Sequence, residues 1–284
     1  MKISGFDYQR LEGADGVRLN VAVGGTGSPI VLLHGFPQTH LMWREVARDL
    51  AADHTVICPD LRGYGDSDKP VEGYSKRVMA ADIVAIAGAL GHERFALAGH
   101  DRGALVAFRA GLDHPGTVTH LACLDVLPTL DMWNALQGVN AAVAFHLYLM
   151  ALPPGLPEEL IAASPDAFFG YFLDLWAKSP FPADVRAEYL DACRKAVPSI
   201  VADYRATAGI DVQEDQADLA TGNQLQMPVT VLQQDWGAQL GFDAASLWQA
   251  WAPKLEHLTV DYGHFMAEEA PAEIAAILRG LLKR

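Results

Sequence analysis

The strongest chemical signal in the sequence is an aspartate that lies between two glycines. The sequence Gly-His-Asp-Arg-Gly occupies 99–103, after an apolar run at 95–98 and before a helical pattern at 104–112. A strand that enters a helix through Gly-x-nucleophile-x-Gly forms a tight, strained turn that lifts the central side chain into a cleft. The N-terminus of the following helix favours negative charge. The pattern favours Asp101 as a nucleophile, and the simpler alternative is that Asp101 only caps the helix.

A carboxylate nucleophile restricts the chemistry. It displaces a leaving group at a saturated carbon, or opens a strained ring, and becomes an ester. A water activated by a base then attacks the ester carbonyl and regenerates Asp101. A serine at the same position would suit esters and amides.

A histidine late in the chain fits the role of the base. His264 lies in Gly-His-Phe at 263–265, after a short strand pattern, and would activate the hydrolytic water. Two acids could orient its imidazole, Asp125 after the apolar run 121–124 and Asp235 after the apolar run 229–232. Each acid could instead simply cap a turn, and that interpretation suits Asp235 better.

Two backbone N–H groups should stabilise the oxyanion that forms when water attacks the ester. Those of Arg102 and Phe36 fit, because Phe36 lies in the turn His-Gly-Phe-Pro at 34–37, directly after a strand pattern. His100 is expected to pack beside the turn. Metal-ligand spacings such as H-x-x-x-H or C-x-x-C are absent from the sequence, which argues against a metal site.

The elements that must position these residues alternate along most of the chain. Short apolar runs are separated by helical patterns up to about residue 128 and again from about 227, which indicates parallel βαβ units. Between them, 129–226 contains helical segments punctuated by prolines and no strand pattern. We therefore predict a core domain formed by 1–128 and 227–284, and a helical cap domain at 129–226 that covers the site.

The composition restricts partners and location. The 284 residues carry 21 Lys and Arg against 35 Asp and Glu, a net charge of −14, which disfavours binding to nucleic acid or anionic lipid. The three cysteines are few and odd in number, as expected for reduced thiols in the cytoplasm. The N-terminus lacks a signal-peptide core, and the longest apolar stretch is too short to span a bilayer. We expect a cytoplasmic enzyme with a small-molecule substrate.

Five motifs together resemble the fluoroacetate and haloacetate dehalogenases, which are α/β-hydrolases close to the epoxide hydrolases. They are His-Gly-Phe-Pro-Gln-Thr at 34–39, Gly-His-Asp-Arg-Gly-Ala at 99–104, Leu-Asp-Val-Leu-Pro-Thr at 124–129, Leu-Pro-Glu-Glu-Leu at 156–160 and Gly-His-Phe at 263–265. Their order and spacing cover nearly the whole chain, cap included. The resemblance implies an α/β-hydrolase fold, with a mostly parallel sheet, helices on both faces and a helical cap insertion.

The same resemblance implies a homodimer without a cofactor and a catalytic triad of Asp101, Asp125 and His264. In this family the acid follows the strand after the nucleophile helix, which favours Asp125 over Asp235. The arginine after the nucleophile binds the substrate carboxylate, and Arg102 stands at that position. A guanidinium matches a carboxylate well, although Arg102 could also be an ordinary solvated residue at a helix start.

Three substrate-binding positions depart from the family pattern. A second arginine is replaced by Leu105, the tryptophan next to the halide-binding histidine is replaced by Leu147 after His146, and a gap-free match places Gly209 where a tyrosine would donate to the halide. Fluoride is strongly hydrated and leaves only if donors replace its water. We therefore expect chloro- or bromo-acids, longer ones included, to react in preference to fluoroacetate.

Two other functions compete with dehalogenation. In related epoxide hydrolases a cap pair of His and Tyr or two Tyr protonates the departing alkoxide, and His146 with Tyr204 is similar in position. Tyr204 could equally be a core aromatic of the cap, and Arg102 stands where those enzymes usually carry an apolar residue. A non-catalytic ligand-binding α/β-hydrolase is the third possibility, which the apparently complete triad disfavours.

Overall fold

One eight-stranded sheet organises the molecule. In the computed structural model, which describes residues 1–284 except the side chain of Trp236, the strand order is β1-β2-β4-β3-β5-β6-β7-β8. The strands are β1 (Asp7–Glu12), β2 (Arg18–Gly24), β3 (Ser28–Leu33), β4 (His54–Pro59), β5 (Phe95–His100), β6 (Val118–Leu124), β7 (Val229–Gln233) and β8 (Leu255–Thr259). Strands β3 to β8 pair in parallel, whereas β1 and β2 form an antiparallel hairpin that joins the sheet through β2 and β4.

The parallel strands follow directly from the sequence. All six residues of β5 and all five of β7 are buried, as expected for strands covered on both faces, which appear as continuous apolar runs. Strands β1 and β2 were not predicted from the sequence. Strand β1 has four exposed residues, no buried one and four charged or amide side chains, so a search for apolar runs does not find it.

The core helices pack beside this sheet. They are α1 (Arg44–Leu50), α2 (Lys76–Ala89), α3 (Arg102–Asp113), α11 (Trp236–Leu240), α12 (Ala244–Trp251), α13 (Met266–Glu269) and α14 (Pro271–Leu281). Helix α1 contacts α14, and α2 contacts α3. The predicted α/β-hydrolase architecture, with a mostly parallel sheet and flanking helices, is confirmed.

A block of helices lies between β6 and β7. It comprises α4 (Thr129–Ala135), α5 (Phe145–Met150), α6 (Leu156–Ala163), α7 (Pro165–Trp176), α8 (Ala183–Arg194), α9 (Val197–Thr207) and α10 (Ile210–Thr221). Proline occupies the first turn of α6, α7 and α9, where its missing N–H costs nothing. Pro157, Pro165 and Pro198 therefore lie where helices begin. The predicted domain limit at 128/129 coincides with the start of α4, and the limit at 226/227 falls between α10 and β7.

Three further features bear on the composition-based expectations. Among the described residues, no helix is both long and apolar enough to cross a membrane. The same residues contain no cluster of three or more His, Cys, Asp or Glu side chains that could hold a metal ion. Cys58, Cys123 and Cys193 are buried thiols.

Candidate active site

Asp101 stands at a strained turn between β5 and α3. Its φ of 48° and ψ of −116° are unfavourable for a residue with a side chain. The flanking glycines permit this turn, because an added Cβ would lie 2.3 Å from the Gly103 carbonyl oxygen at Gly99 and 2.4 Å from the His34 carbonyl oxygen at Gly103. Asp101 precedes the first residue of α3, yet its side chain makes no capping hydrogen bond to the helix. The geometry disfavours the simple capping interpretation.

Backbone N–H groups surround the Asp101 carboxylate. The N–H of Phe36 donates to Oδ1 at 2.7 Å, and the backbone N–H of the adjacent Arg102 lowers the pKa of the same carboxylate. Gly35 lets this loop approach, since a Cβ there would lie 2.5 Å from the Cβ of Asp101. Burial raises the pKa of Asp101, while the charges of His264 and Arg102 and the two N–H groups oppose that rise. The two predicted oxyanion donors thus lie at the nucleophile.

His264 is oriented by Asp125. Its Nδ1 lies 2.6 Å from Asp125 Oδ2, and its buried Nε2 has no hydrogen-bond partner among the described residues. Nδ1 is therefore assigned as the donor and Nε2 as the free base. Burial lowers the pKa of His264, but the hydrogen bond to Asp125 and the charges of Asp125 and Asp101 outweigh it, so the net pKa is raised. Asp235 is exposed at the start of α11, and the structure brings Asp125 to His264 instead.

Gln234 is a site residue that the sequence analysis missed. Its backbone N–H donates to Asp125 Oδ1 at 3.1 Å, and its side-chain Nε2 donates to Oδ2 at 2.7 Å. Burial raises the pKa of Asp125, and the donors His264 and Gln234 reverse this, so that the net pKa is lowered. Gln234 directly follows β7, and β7 pairs with β6, at whose carboxyl end Asp125 lies. This position in the sequence could have indicated that Gln234 lies near Asp125.

Arg102 is completely buried and anchored by the helical block. Its Nε donates to Asp203 Oδ2 at 2.8 Å, and its Nη2 donates to the Asp203 carbonyl oxygen at 3.0 Å and to the Thr207 hydroxyl. The guanidinium carbon lies 4.0 Å from the centre of the Tyr204 ring, a cation–π contact. The interpretation of Arg102 as a solvated surface residue is therefore wrong.

Two polar groups of the helical block remain available near Asp101. His146 Nδ1 and the Tyr204 hydroxyl are buried and have no partner among the described residues. The two rings lie 5.6 Å apart and both contact the Phe36 ring. Burial lowers the pKa of His146 to about 3 and raises that of Tyr204 well above its usual value. At neutral pH the imidazole is uncharged and the phenol is protonated.

A cavity of about 240 Å³ joins these groups. Asp101, Arg102, His146, Tyr204 and His264 line it. Leu105 and Leu147 also line it, as expected from the sequence, and Trp176 is a further aromatic wall that the sequence analysis missed. The remaining wall is largely apolar and includes Val126, Leu127, Met132, Leu136, Val143 and Leu240.

The structure does not place Gly209 at this cavity. Gly209 precedes the first residue of α10, and the described residues that line the cavity do not include it. Tyr204 occupies the position beside Asp101 that the sequence match gave to Gly209. Tyr204 lies inside α9, whereas Gly209 lies beyond the end of that helix at Thr207, so the two positions are more than one helical turn apart.

Comparison with known proteins shows the family of this chain. The family described as alpha/beta hydrolase fold matches residues 28–156. The chain is 39% identical to a fluoroacetate dehalogenase of a Burkholderia species, over 98% of this chain and 94% of the relative. It belongs to the haloacetate dehalogenase family of α/β-hydrolases. The family membership makes the chain a hydrolytic enzyme.

Epoxide hydrolases are also among the relatives of this hydrolase. It is 33% identical to a soluble epoxide hydrolase of Corynebacterium sp. strain C12, over 90% of this chain and 91% of the relative. A solved Pseudomonas aeruginosa protein, provisionally described as an epoxide hydrolase, superposes with a TM-score of 0.93 at 42% identity and covers 99% of this chain and 96% of its own. Relatives with names from both enzyme classes, dehalogenase and epoxide hydrolase, are therefore similar to this chain over most of its length.

Proposed function

We propose that this hydrolase removes halide from small 2-halocarboxylates by forming an ester on Asp101. One observation carries the proposal: a buried carboxylate with two backbone donors shares a cavity with two unpartnered polar groups, His146 Nδ1 and the Tyr204 hydroxyl. The similarity to a fluoroacetate dehalogenase over nearly the whole chain supports the same reaction class. Asp101, His264 and Asp125 are the proposed catalytic residues.

In the first half of the reaction Asp101 attacks C2 of the substrate. The C–O bond forms as the carbon–halogen bond breaks, and the halide leaves with the bonding electron pair. Neutral His146 and protonated Tyr204 can each donate a hydrogen bond to the departing halide. Arg102 is the proposed partner of the substrate carboxylate, as the one arginine among the described residues that line the cavity.

In the second half water attacks the carbonyl carbon of the ester. His264 Nε2 takes the proton of that water, while Asp125 stabilises the imidazolium through Nδ1. The negative oxygen that forms on the Asp101 carboxyl is placed to accept from the Phe36 and Arg102 N–H groups. The products are a 2-hydroxycarboxylate, free Asp101 and one proton, which His264 releases.

The cavity supports substrates larger than haloacetate. Leu105 and the apolar wall formed by Leu127, Met132 and Leu136 offer space and apolar contact beyond the reacting carbon. With Leu147 in place of a third donor, we propose chloro- and bromo-acids over fluoroacetate. We also propose that the helices within 129–226 act as a cap domain, because they supply Arg102 with its partners and the cavity with His146 and Tyr204.

Halide release tests this proposal. Chloro-, bromo- and fluoroacetate and longer 2-halo acids are incubated with the enzyme, with Asp101→Asn as the control. We expect chloride or bromide from at least one member and no turnover by the control. The absence of halide from every member would overturn the proposal.

The covalent step has its own test in His264→Gln. This variant should release one equivalent of halide per active site and then stop, because no base activates the water. Intact-protein mass spectrometry should show the carboxyalkyl group on Asp101. A single turnover of the unmodified enzyme in heavy-oxygen water should label the Asp101 carboxylate, and label confined to the product would contradict the ester.

Epoxide hydrolysis is the second candidate, favoured by the protonated Tyr204 hydroxyl near Asp101. The phenol would donate a proton to the alkoxide as Asp101 opens the ring. Diol formation from styrene oxide and small aliphatic epoxides measures this activity. If Tyr204→Phe forms diol at an unchanged rate, Tyr204 has no part in it.

We further propose a cytoplasmic homodimer. Exposed apolar side chains on α6 and α7, among them Leu156, Leu160 and Leu175, support an interface between copies. The buried thiols Cys58, Cys123 and Cys193 support a reducing compartment. Analytical ultracentrifugation tests the dimer, and a monomer at micromolar concentration would contradict it.

A further inference from the structure

We infer that Asp203 is a positioning residue for ester formation: its carboxylate holds Arg102 and, through α9, Tyr204 in the geometry that binds substrate. This inference rests on the proposed function. It concerns a buried group that neither lines the cavity nor contacts Asp101 among the described residues.

Three groups of the core converge on the Asp203 carboxylate. Arg102 Nε donates to Oδ2 at 2.8 Å, the Tyr64 hydroxyl donates to Oδ2 at 2.6 Å, and Lys76 Nζ forms an ion pair with Oδ1. All four side chains are at most 2% exposed. Asp203 belongs to α9 of the helical block, so a single carboxylate ties that block to the helix that follows the nucleophile.

These contacts occupy most of the hydrogen-bond donors of the Arg102 guanidinium and leave few for the substrate. Nε and Nη2 are occupied by Asp203 and Thr207, and Thr207 in turn donates to the Asp203 carbonyl oxygen at 3.0 Å. Nη1 has no hydrogen-bond partner among the described residues, while Arg102 lines the cavity. The substrate carboxylate can therefore bind to Nη1 of a guanidinium that is held in one orientation, instead of to a mobile guanidinium with all its donors free.

The same anchor fixes the group that faces the halide. Tyr204 follows Asp203 in α9, and its ring packs against the face of the Arg102 guanidinium at 4.0 Å. A shift of the guanidinium would consequently displace the Tyr204 ring and its hydroxyl. Reacting atoms misplaced by about 1 Å can cost roughly a hundredfold in rate.

The charge of Asp203 is as important as its shape. Arg102 and Lys76 place two buried cations beside it, and without a counter-charge each pays a large desolvation cost. Lys76 has a second acidic neighbour, because its backbone N–H donates to Asp211 at 2.8 Å. Asp211 has no hydrogen bond to Arg102 among the described residues, which makes it a matched buried carboxylate for comparison.

The second half of the reaction uses the backbone N–H of Arg102, which belongs to the turn at the start of α3, whereas Asp203 contacts Arg102 only through the guanidinium. The other groups of the second half are positioned by different contacts. His264 is held by Asp125, and the Phe36 N–H comes from the loop after β3. Hydrogen bonds among the described residues do not link Asp203 to either. Loss of Asp203 should therefore slow ester formation and leave ester hydrolysis unchanged, a split that general loss of structure would not produce.

The test compares Asp203→Asn with Asp211→Asn. In the His264→Gln background, rapid quench and intact-protein mass spectrometry give the rate of ester accumulation. With His264 intact, single-turnover halide and product curves give ester hydrolysis. We expect Asp203→Asn to slow ester formation about tenfold or more and to change hydrolysis by less than about twofold. Asp211→Asn should slow neither step selectively.

Equal loss in both steps, or unchanged ester formation, would overturn the inference. If Asp203→Asn does not fold, Thr207→Val replaces it, since it removes one Arg102 acceptor and keeps every charge. That variant should slow ester formation by about threefold and spare hydrolysis; no selective effect refutes the inference. Failure of the proposed function is seen separately, because the unmodified enzyme then releases no halide. In that case the rates of ester formation and ester hydrolysis are compared with an epoxide that alkylates Asp101.

Discussion

At the scale of single residues, Asp125 Oδ2 accepts from two donors, His264 Nδ1 at 2.6 Å and Gln234 Nε2 at 2.7 Å. The amide competes with the imidazole for the same oxygen and keeps the carboxylate a weak base. Charged or titratable groups that face His264 are Asp101, Asp125, Glu269, His100 and His146. The basicity of His264 thus depends on how strongly Asp125 accepts from it, and the neutral Gln234 side chain weakens that interaction.

Ester hydrolysis should follow the neutral form of His264. Because the net pKa of His264 lies above its ordinary value, the rate of hydrolysis rises as pH increases through that pKa. The ester removes the Asp101 charge, which is one cause of the raised pKa. The midpoint for hydrolysis should therefore lie below the His264 pKa of the free enzyme measured by NMR, and a midpoint at or above that value would contradict this balance.

Replacing Gln234 should move this midpoint upward. In Gln234→Leu the Asp125 carboxylate loses a donor, binds His264 more strongly and raises the pKa of His264 further. The pH profile of ester hydrolysis should shift to higher pH while halide release in the first turnover is unchanged. Gln239→Leu, an exposed change on α11, is the control; the same profile in both variants would remove Gln234 from the balance.

At the scale of elements, the turn between β5 and α3 is fixed by backbone contact. Gly103 is the second residue of α3, and a Cβ added there would meet the carbonyl oxygens of Leu33 and His34 at the end of β3. The strained Asp101 conformation is held by the close backbone contacts on both sides of the turn. Side-chain room at this contact, more than helix propensity, determines which residue is tolerated.

Two glycine-to-alanine changes separate these effects. Gly103→Ala places a Cβ 2.4 Å from a backbone oxygen, so we expect a loss of about 2 kcal/mol or more in unfolding free energy and loss of activity. Gly88→Ala, in α2, meets no atom within 4 Å and should stabilise by about 0.5–1 kcal/mol with activity unchanged. Urea unfolding and halide release measure both. Equal stability of the two variants would contradict the contact argument.

At the scale of the whole molecule, the hydrolase carries a net charge of −14 while its proposed substrate is an anion. The surface repels that substrate, and the buried cations Arg102 and Lys76 are already partnered by Asp203. Productive binding must overcome a long-range repulsion that salt screens.

Ionic strength therefore distinguishes the two candidate functions. For a 2-halocarboxylate, kcat/KM should rise by about twofold or more between low and physiological ionic strength, set with potassium sulfate to avoid adding halide. For an uncharged epoxide it should change little. A fall of kcat/KM for the halo acid with added salt would show that local attraction outweighs the net charge.

The sequence by itself determined the features encoded in contiguous residues. The parallel strands β3 to β7, the helical character of 129–226 and the nucleophile turn at 99–103 follow from apolar runs, prolines and glycines that act on their own neighbourhood. These local constraints are strong because a buried strand or a strained turn tolerates few residue types. The polar hairpin β1–β2 carried no such signal.

Only the tertiary structure decided which distant side chains meet. Packing of the sheet brings Asp125 and Gln234 to His264 and leaves Asp235 exposed, and packing of the helical block places Trp176 at the cavity. The helical block decides that Tyr204, not Gly209, lies beside Asp101. These outcomes depend on the angles between elements and on the rotation of each helix about its axis, which are set by many contacts between distant residues. The Asp101 turn, in contrast, depends on five adjacent residues.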